Sequence, residues 1–281
     1  MTLHSTSIET IRETALKLVG RLRSYGPVAV AFSGGVDSAV VAKAAVEAWG
    51  ERAVAVTAVS PSLASSELEI ARAEAIVIGI RLVELRTREF ERPEYRRNAG
   101  DRCFFCKDTL YTLIKANLSV LSVNCIVNGA NTDDLGDHRP GMKAATDHDV
   151  HSPLIEEGIS KVTVRELARY WRLTVADKPA APCLASRIAY GIEVTEGRVQ
   201  RVERAEAFLK SLTGTNELRV RCEAAELARI EVPLAVLSRL TEPAVRAAIA
   251  IEFRQIGFRC VTLDLEGLRS GSLNELLPIV Q

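Results

Sequence analysis

Val28-Ala29-Val30-Ala31-Phe32-Ser33-Gly34-Gly35-Val36-Asp37-Ser38-Ala39-Val40-Val41-Ala42-Lys43-Ala44-Ala45 decides the fold of this chain. The first five residues form the short apolar run of a buried strand, and the last seven read as a helix. A strand that feeds a glycine turn opening a helix presents backbone N–H groups to an anion. The helix dipole adds about half a positive charge at the same place. A phosphate is therefore expected beside Ser33 to Ser38. The rival reading is an ordinary turn between strand and helix, with Ser and Gly serving local geometry.

Outward from this turn, the elements alternate. Thr6-x-x-Glu9 has the form of a capping box, and Ile8, Ile11, Ala15, Leu18 and Leu22 recur at helical spacing until Gly26-Pro27 stops the run. Downstream, the pattern predicts a helix over Ser38–Trp49, a strand over Ala53–Val59, a helix capped by Ser66-x-x-Glu69 and ending near Ile78, and a strand over Arg81–Leu85. This βαβαβ order argues for an α/β fold with a parallel sheet, whose ligands bind beyond the carboxyl ends of the strands. Two further loops of that kind stand out. A charged stretch from Arg86 to Arg102 delivers Cys103-Phe104-Phe105-Cys106-Lys107 to the start of a helix around Asp108–Ala116. The apolar strand Cys125–Val127 is followed by Asn128-Gly129-Ala130-Asn131-Thr132-Asp133-Asp134. Next come a helix over Thr163–Trp171, announced by Thr163-x-x-Glu166, and a break at Lys178-Pro179-Ala180-Ala181-Pro182. Beyond Gly191 the texture changes to that of a small α+β domain. It has a helix over Thr195–Leu212, strands near Glu217–Cys222, Leu227–Val232 and Cys260–Asp264, and a helix over Glu242–Gly257. The expected division is residues 1–190 and 191–281.

The motif Ser33-Gly34-Gly35-Val36-Asp37-Ser38 resembles that of the PP-loop ATP pyrophosphatases, which cleave ATP between its α and β phosphates to adenylate a substrate. It departs from Walker A, because no Gly-Lys-Ser/Thr follows the glycines. The resemblance implies an adenine nucleotide α-hydrolase-like domain. In it Gly34 and Gly35 let the backbone approach the phosphates, Ser33 and Ser38 add hydroxyl donors, and Asp37 serves Mg²⁺ or the helix start. Asp133 and Asp134, with Gly129 and Asn131 ahead of them, divide between turn residues and a nucleotide or Mg²⁺ role.

With 281 residues, 47% of them hydrophobic, the chain can bury one large or two modest cores. Lys plus Arg equals Asp plus Glu at 36 each, so no global field holds nucleic acid, and a small anionic substrate fits better than a polyanion. Met1 to Ser7 lack the apolar core of a signal peptide, and no apolar stretch approaches the ~20 residues of a membrane span. A cytoplasmic protein is expected, whose six cysteines are thiols rather than a disulfide framework.

Cys103 and Cys106 have the C-x-x-C spacing that lets two thiolates face one metal or cluster, and Cys183 stands in a separate loop. Three thiolates suit a [4Fe–4S] cluster with an open fourth iron. Zinc is the rival, with His138, His148 or His151 as a further ligand. For Cys125 and Cys260, in predicted strands, the core reading is favoured.

A second resemblance rests on Arg102-Cys103-Phe104-Phe105-Cys106-Lys107, on Gly129 through Asp137-His138-Arg139-Pro140-Gly141, and on Pro182-Cys183-Leu184-Ala185-Ser186-Arg187. Leu218-Arg219-Val220-Arg221, Ala228-Arg229-Ile230-Glu231-Val232 and Arg269-Ser270-Gly271-Ser272 extend it to nearly the whole chain. The set is similar to that of the LarE-type ATP-dependent sulfur transferases, which mature a nickel-pincer cofactor. The resemblance implies adenylation of a carboxylate on a pyridinium-dicarboxylate mononucleotide, and displacement of AMP by sulfur. In one branch a single cysteine, matched here by Cys183, gives up its sulfur and becomes dehydroalanine. In another, three cysteines hold a [4Fe–4S] cluster, and Cys103 and Cys106 make this chain resemble that branch. Arg187 would hold the sulfur ionised or grip a carboxylate. Arg219 and Arg221, alternating on a strand, would hold the mononucleotide phosphate, with Glu231 orienting one of them. A sulfide donor or cysteine desulfurase, and a homo-oligomeric state, are further implications. Phe104, Cys222 and Leu268 stand where the family pattern carries tyrosine, histidine and tyrosine. The rival functions are a tRNA thiolase, a non-catalytic ATP-binding regulator and an ammonia-using amide ligase. The cysteines speak against the last.

Overall fold

A computed structural model describes residues 8–136 and 140–269. The capping position Thr6, the loop residues Asp137, His138 and Arg139, and Ser270-Gly271-Ser272 lie outside them. In chain order the elements are α1 (Ile8–Ser24), β1 (Val28–Ala31), α2 (Val36–Trp49), β2 (Val54–Val59), α3 (Ser65–Ile78), β3 (Arg81–Arg86), α4 (Pro93–Arg96), α5 (Arg102–Ala116), α6 (Leu118–Leu121) and β4 (Cys125–Val127). They continue with α7 (Pro140–Asp147), α8 (Pro153–Glu156), α9 (Lys161–Tyr170), α10 (Glu196–Thr213), β5 (Arg219–Glu223), β6 (Leu227–Glu231), α11 (Leu234–Thr241), α12 (Pro243–Ile256) and β7 (Cys260–Leu263).

Two compact units divide the chain, Met1–Glu89 with Cys103–Ala181, and Phe90–Arg102 with Pro182–Gln281. The first is built on a parallel sheet in the order β3-β2-β1-β4. All four residues of β1 are buried, as a central strand covered on both faces requires. Alternation divides the core. Val28 and Val30 pack with α1, α2, α3 and α9, whereas Ala29 and Ala31 join Val54, Val56 and Ile126 against α5 and α7. From β1 the chain steps outward to β3 and then returns to the other side of β1 as β4. The loops after β1 and β4 therefore flank the point where the strand order reverses, the usual crevice of such sheets.

Helix starts differ from the sequence reading. Helix α3 begins one residue before Ser66, after Ala64 and with no side-chain cap. Helix α9 is capped by Ser160, which accepts from the backbone N–H of Thr163. In each case the polar residue read as a cap lies inside the helix, and in α9 Ser160 takes the cap three residues earlier. Helix α5 likewise starts at Arg102, so the C-x-x-C pair occupies its first turns. Ile8 is exposed, and Val19 joins Ile11, Ala15, Leu18 and Leu22 on the buried stripe of α1.

In the second unit β5 and β6 form an antiparallel pair and β7 lies parallel to β6. Helix α11, unforeseen in the sequence, precedes α12. The segment before α5 belongs here through Asn98, fully buried with φ +55, whose Nδ2 donates to the carbonyls of Ile188 (3.3 Å), Ala189 (2.9 Å) and Ile192 (3.1 Å). Cys260 is exposed, correcting its assignment to the core. It sits on an edge strand, where alternate residues face solvent. No helix among the described residues is long and apolar enough to cross a membrane.

Candidate active site

The turn after β1 is a closed set of short-range bonds. Ser38 Oγ donates to the Gly35 carbonyl (3.0 Å), accepts from the Ser33 N–H (3.2 Å) and meets Ser33 Oγ (3.2 Å). Gly35 N–H donates to Ser33 Oγ at 3.3 Å. The two hydroxyls thus shape the loop from within. Gly35 caps α2 without a side-chain bond, so the first N–H groups of α2 stay directed beyond the helix end, as an anion site requires. Gly34 has φ +68, and a Cβ there would lie 2.8 Å from Ala71 Cα. At Gly129 an added Cβ would lie 2.7 Å from the Ser38 backbone nitrogen. Only glycine lets the loop after β4 lie so close to the start of α2.

The residues after β4 are held by a capping box. Asn131 Oδ1 accepts from the Asp133 N–H (3.0 Å), and Asp134 Oδ2 accepts from the Asn131 N–H (3.0 Å). Asn131 Nδ2 in turn donates to Asp37 Oδ1 (3.1 Å). Asp134 is thereby engaged in the turn, while Asp133 stands exposed beside it. Lys161 pairs with the other oxygen of Asp37. Lys178 Nζ lies 2.7 Å from Glu67 Oε2 and 3.3 Å from the Gly34 carbonyl. The sequence reading assigned neither lysine to the site, because neither belongs to a motif and both arrive from more than a hundred residues downstream.

The donor chemistry fits an ATP–magnesium complex. The glycines provide close backbone approach, and Asp37 and Asp133 are oxygen ligands of the kind Mg²⁺ takes. For a cluster, Cys103 and Cys106 lie one helical turn apart on α5, a thiol pair suited to soft metals. Among the described residues no three His, Cys, Asp or Glu side chains converge as a metal-holding group. His148 Nε2 is bonded to Asp108 Oδ1 (2.7 Å), and His151 stacks on Tyr25 with ring centroids 4.3 Å apart.

In the second unit Cys183 is exposed at the head of a 3₁₀ turn, Leu184–Arg187. Arg187 is buried. Its Nη1 donates to the carbonyls of Pro182 (2.6 Å) and Cys183 (3.3 Å), and its Nε donates to Glu206 Oε1 (3.0 Å). These bonds tie the guanidinium to the backbone of the turn. Arg221 makes a bidentate pair with Glu231 (3.0 and 2.8 Å) and also donates to the Ser186 carbonyl (3.0 Å). Arg229 gives Glu231 a third bond at 3.0 Å. Ala189 N–H donates to the Cys222 carbonyl (3.0 Å), tying the end of the turn to β5. Arg219 is half-buried and donates to the Arg269 carbonyl (3.2 Å). Burial first, then the charges of Arg221 and Arg187, hold its guanidinium below the ordinary arginine range. A dianionic phosphate would relieve that repulsion, whereas Arg221 would have to leave a buried carboxylate to do the same.

The loop Ser33-Gly34-Gly35-Val36-Asp37-Ser38 lies at the reversal point of a parallel sheet, and the family model for asparagine synthase matches residues 11–98, which together put the chain in the PP-loop class of ATP-using enzymes. A relative from Lactiplantibacillus plantarum, pyridinium-3,5-bisthiocarboxylic acid mononucleotide synthase, is 31% identical over 273 residues, 97% of this chain and 98% of the relative. The chain belongs to the family of that synthase, and is an ATP-dependent sulfur transferase of its kind. It is also similar to an uncharacterized protein from Synechocystis sp., with 46% identity over 88% of this chain and 92% of the relative. A Methanocaldococcus jannaschii protein, also uncharacterized, is 25% identical over 86% and 91%.

Proposed function

We propose that the protein adenylates a carboxylate of a pyridinium-dicarboxylate mononucleotide and replaces AMP with sulfur to give a thiocarboxylate for nickel-pincer cofactor biosynthesis. The observation that carries this reading is the near end-to-end likeness to the synthase, with the phosphate loop and Cys183 both present. A carboxylate oxygen attacks the α-phosphorus and pyrophosphate leaves. A sulfur nucleophile then attacks the acyl carbon and AMP departs. Ser33, Gly34, Gly35, Asp37, Ser38, Gly129 and Asn131 are assigned to the nucleotide, with Asp133 beside them. Mg²⁺, held by Asp37 and Asp133, would neutralise charge on the leaving group.

Cys183 is assigned the sulfur chemistry. Arg187, Arg221 and Glu231 are positioning residues for its turn, and Arg219 is the phosphate contact on the mononucleotide. Cys103 and Cys106, with Cys183, are assigned as ligands of a [4Fe–4S] cluster. The spacing of the first pair on α5 supports this, as does the exposure of Cys103 and Cys183. The setting proposed is cytoplasmic, with a sulfide donor as partner and a homo-oligomer as the working form.

The test uses anaerobically purified protein with ATP, Mg²⁺ and the dicarboxylate mononucleotide. Substrate-dependent AMP, pyrophosphate and thiocarboxylate are expected, and Cys183→Ser should retain pyrophosphate formation while losing thiocarboxylate. Sulfur transfer by the serine variant would overturn the assignment. Iron and acid-labile sulfide that vanish in a Cys103→Ala, Cys106→Ala variant support the cluster. Iron in neither protein removes it and leaves Cys183 as the source.

A further inference from the structure

We infer that Lys161 and Lys178 form the binding site for the pyrophosphate half of ATP, replacing the lysine that this phosphate loop lacks. The inference rests on the ATP reading of that loop and names residues which no motif assigns.

Residues 33–38 offer N–H groups and hydroxyls but no cation, and their only charged side chain is the carboxylate of Asp37. In phosphate loops that carry a lysine, its ammonium reaches the outer phosphates. Here two ammonium groups come from outside the loop. Lys161, at the first position of α9, is bonded to Asp37 in the first turn of α2. Lys178 reaches the loop itself, with Nζ 3.3 Å from the Gly34 carbonyl, and rests on Glu67 at 2.7 Å. Its own backbone is fixed, because Arg165 donates to the carbonyls of Ala176 (2.6 Å) and Lys178 (3.2 Å).

Neither pair is sealed from solvent. The side chains of Lys161 and Asp37 are 34% and 26% exposed, and those of Lys178 and Glu67 are 15% and 22% exposed. The Lys161–Asp37 pair is exposed enough to add little to stability and exchanges readily, whereas the more buried Lys178 leaves Glu67 only for a partner of at least equal charge, which a phosphate supplies. Two ammonium groups and two carboxylates sum to zero charge beside the loop, a poor host for a triphosphate. Exchange resolves this. Asp37 would be the residue that holds the divalent cation accompanying ATP, which would release Lys161, and both ammonium groups turn to the phosphate oxygens. In the adenylation step the substrate oxygen bonds to the α-phosphorus, and the bond from that phosphorus to the bridging oxygen breaks. The bridging electron pair stays on pyrophosphate, and the two lysines face the charge that develops there.

Calorimetric titration of the full-length protein with Mg·ATP, AMP and inorganic pyrophosphate tests this. Lys161→Met and Lys178→Met should each weaken Mg·ATP and pyrophosphate about tenfold or more, with AMP changed less than about twofold. Retained AMP binding also reports that the variants are folded. Lys178→Arg should restore most of the loss. Glu67→Gln separates an anion contact from a structural tie. It should hold or tighten pyrophosphate binding if Lys178 serves the anion, and weaken it as Lys178→Met does if the pair only braces the loop. An unchanged ratio of ATP to AMP affinity in both methionine variants overturns the inference while leaving the ATP reading intact. A wild-type protein that binds no adenine nucleotide overturns both.

Discussion

Gly34→Ala places two separable costs on the phosphate loop. The first is conformational, because φ is +68 and an alanine held in the left-handed region costs about 1–2 kcal/mol. The second is steric. The added Cβ would lie 2.8 Å from Ala71 Cα and 2.9 Å from Ala71 Cβ, so the loop or helix α3 has to move, at about 1–3 kcal/mol. A total near 3 kcal/mol lowers the melting temperature by roughly 6–12 °C. Gly35→Ala is the internal control. Its φ is −87, and the nearest atom to an added Cβ is a side-chain hydroxyl, Ser33 Oγ at 3.3 Å. A change there should stay within about 1 kcal/mol of neutral, since alanine at a compatible φ also restricts the unfolded chain. Thermal melting by circular dichroism compares the two variants. Equal melting temperatures for Gly34→Ala and wild type would refute both the left-handed conformation and the close approach of α3.

Glu206 accepts from Arg187 Nε (3.0 Å) and from the Val220 N–H (3.1 Å) in a buried setting, so Glu206→Ala strands a buried guanidinium and should cost about 3–5 kcal/mol in urea unfolding. A cost under about 1 kcal/mol would refute the pairing. Burial, and then the charge of Glu226, push the Cys222 thiol up to about 11. The protonated form is favoured in the fold, so this contribution is full below the unfolded thiol pKa of about 8.5 and is lost as the pH rises from there to about 11. Wild-type stability should therefore fall more steeply over that window than that of Cys222→Ala. Equal slopes would refute the shift.

The centre of the parallel sheet was legible because β1 is a bare apolar run and β2 is nearly one. Val28–Ala31 is buried throughout and β2 over its first four residues, while β3 at the edge alternates with charge, and the glycine turn between strand and helix fixes where the carboxyl ends point. Cap positions were less legible. Ser66 and Thr163 have the composition of caps, yet α3 starts one residue before Ser66 and Ser160, not Thr163, caps α9. For the site, contiguous motifs were visible and long-range partners were not. Asp37 and Asn131 stand out in sequence, whereas Lys161, paired with Asp37, and Lys178, at the Gly34 carbonyl, are isolated lysines that only the fold brings to the loop. Arg187 shows the opposite limit. Its place four residues after Cys183 does not reveal that the guanidinium bonds main-chain oxygens.

That last feature bears on the fate of the molecule after it has acted. The anchors of the turn are carbonyls of Pro182, Cys183 and Ser186, which every residue type possesses, so its fixation is blind to what side chain position 183 carries. A chain that surrendered its sulfur there would keep the same main-chain anchors. Were Cys183 the sulfur source rather than a cluster ligand, spent and unspent molecules would compete for substrate, and the yield of a sealed reaction would be set by stoichiometry rather than by time.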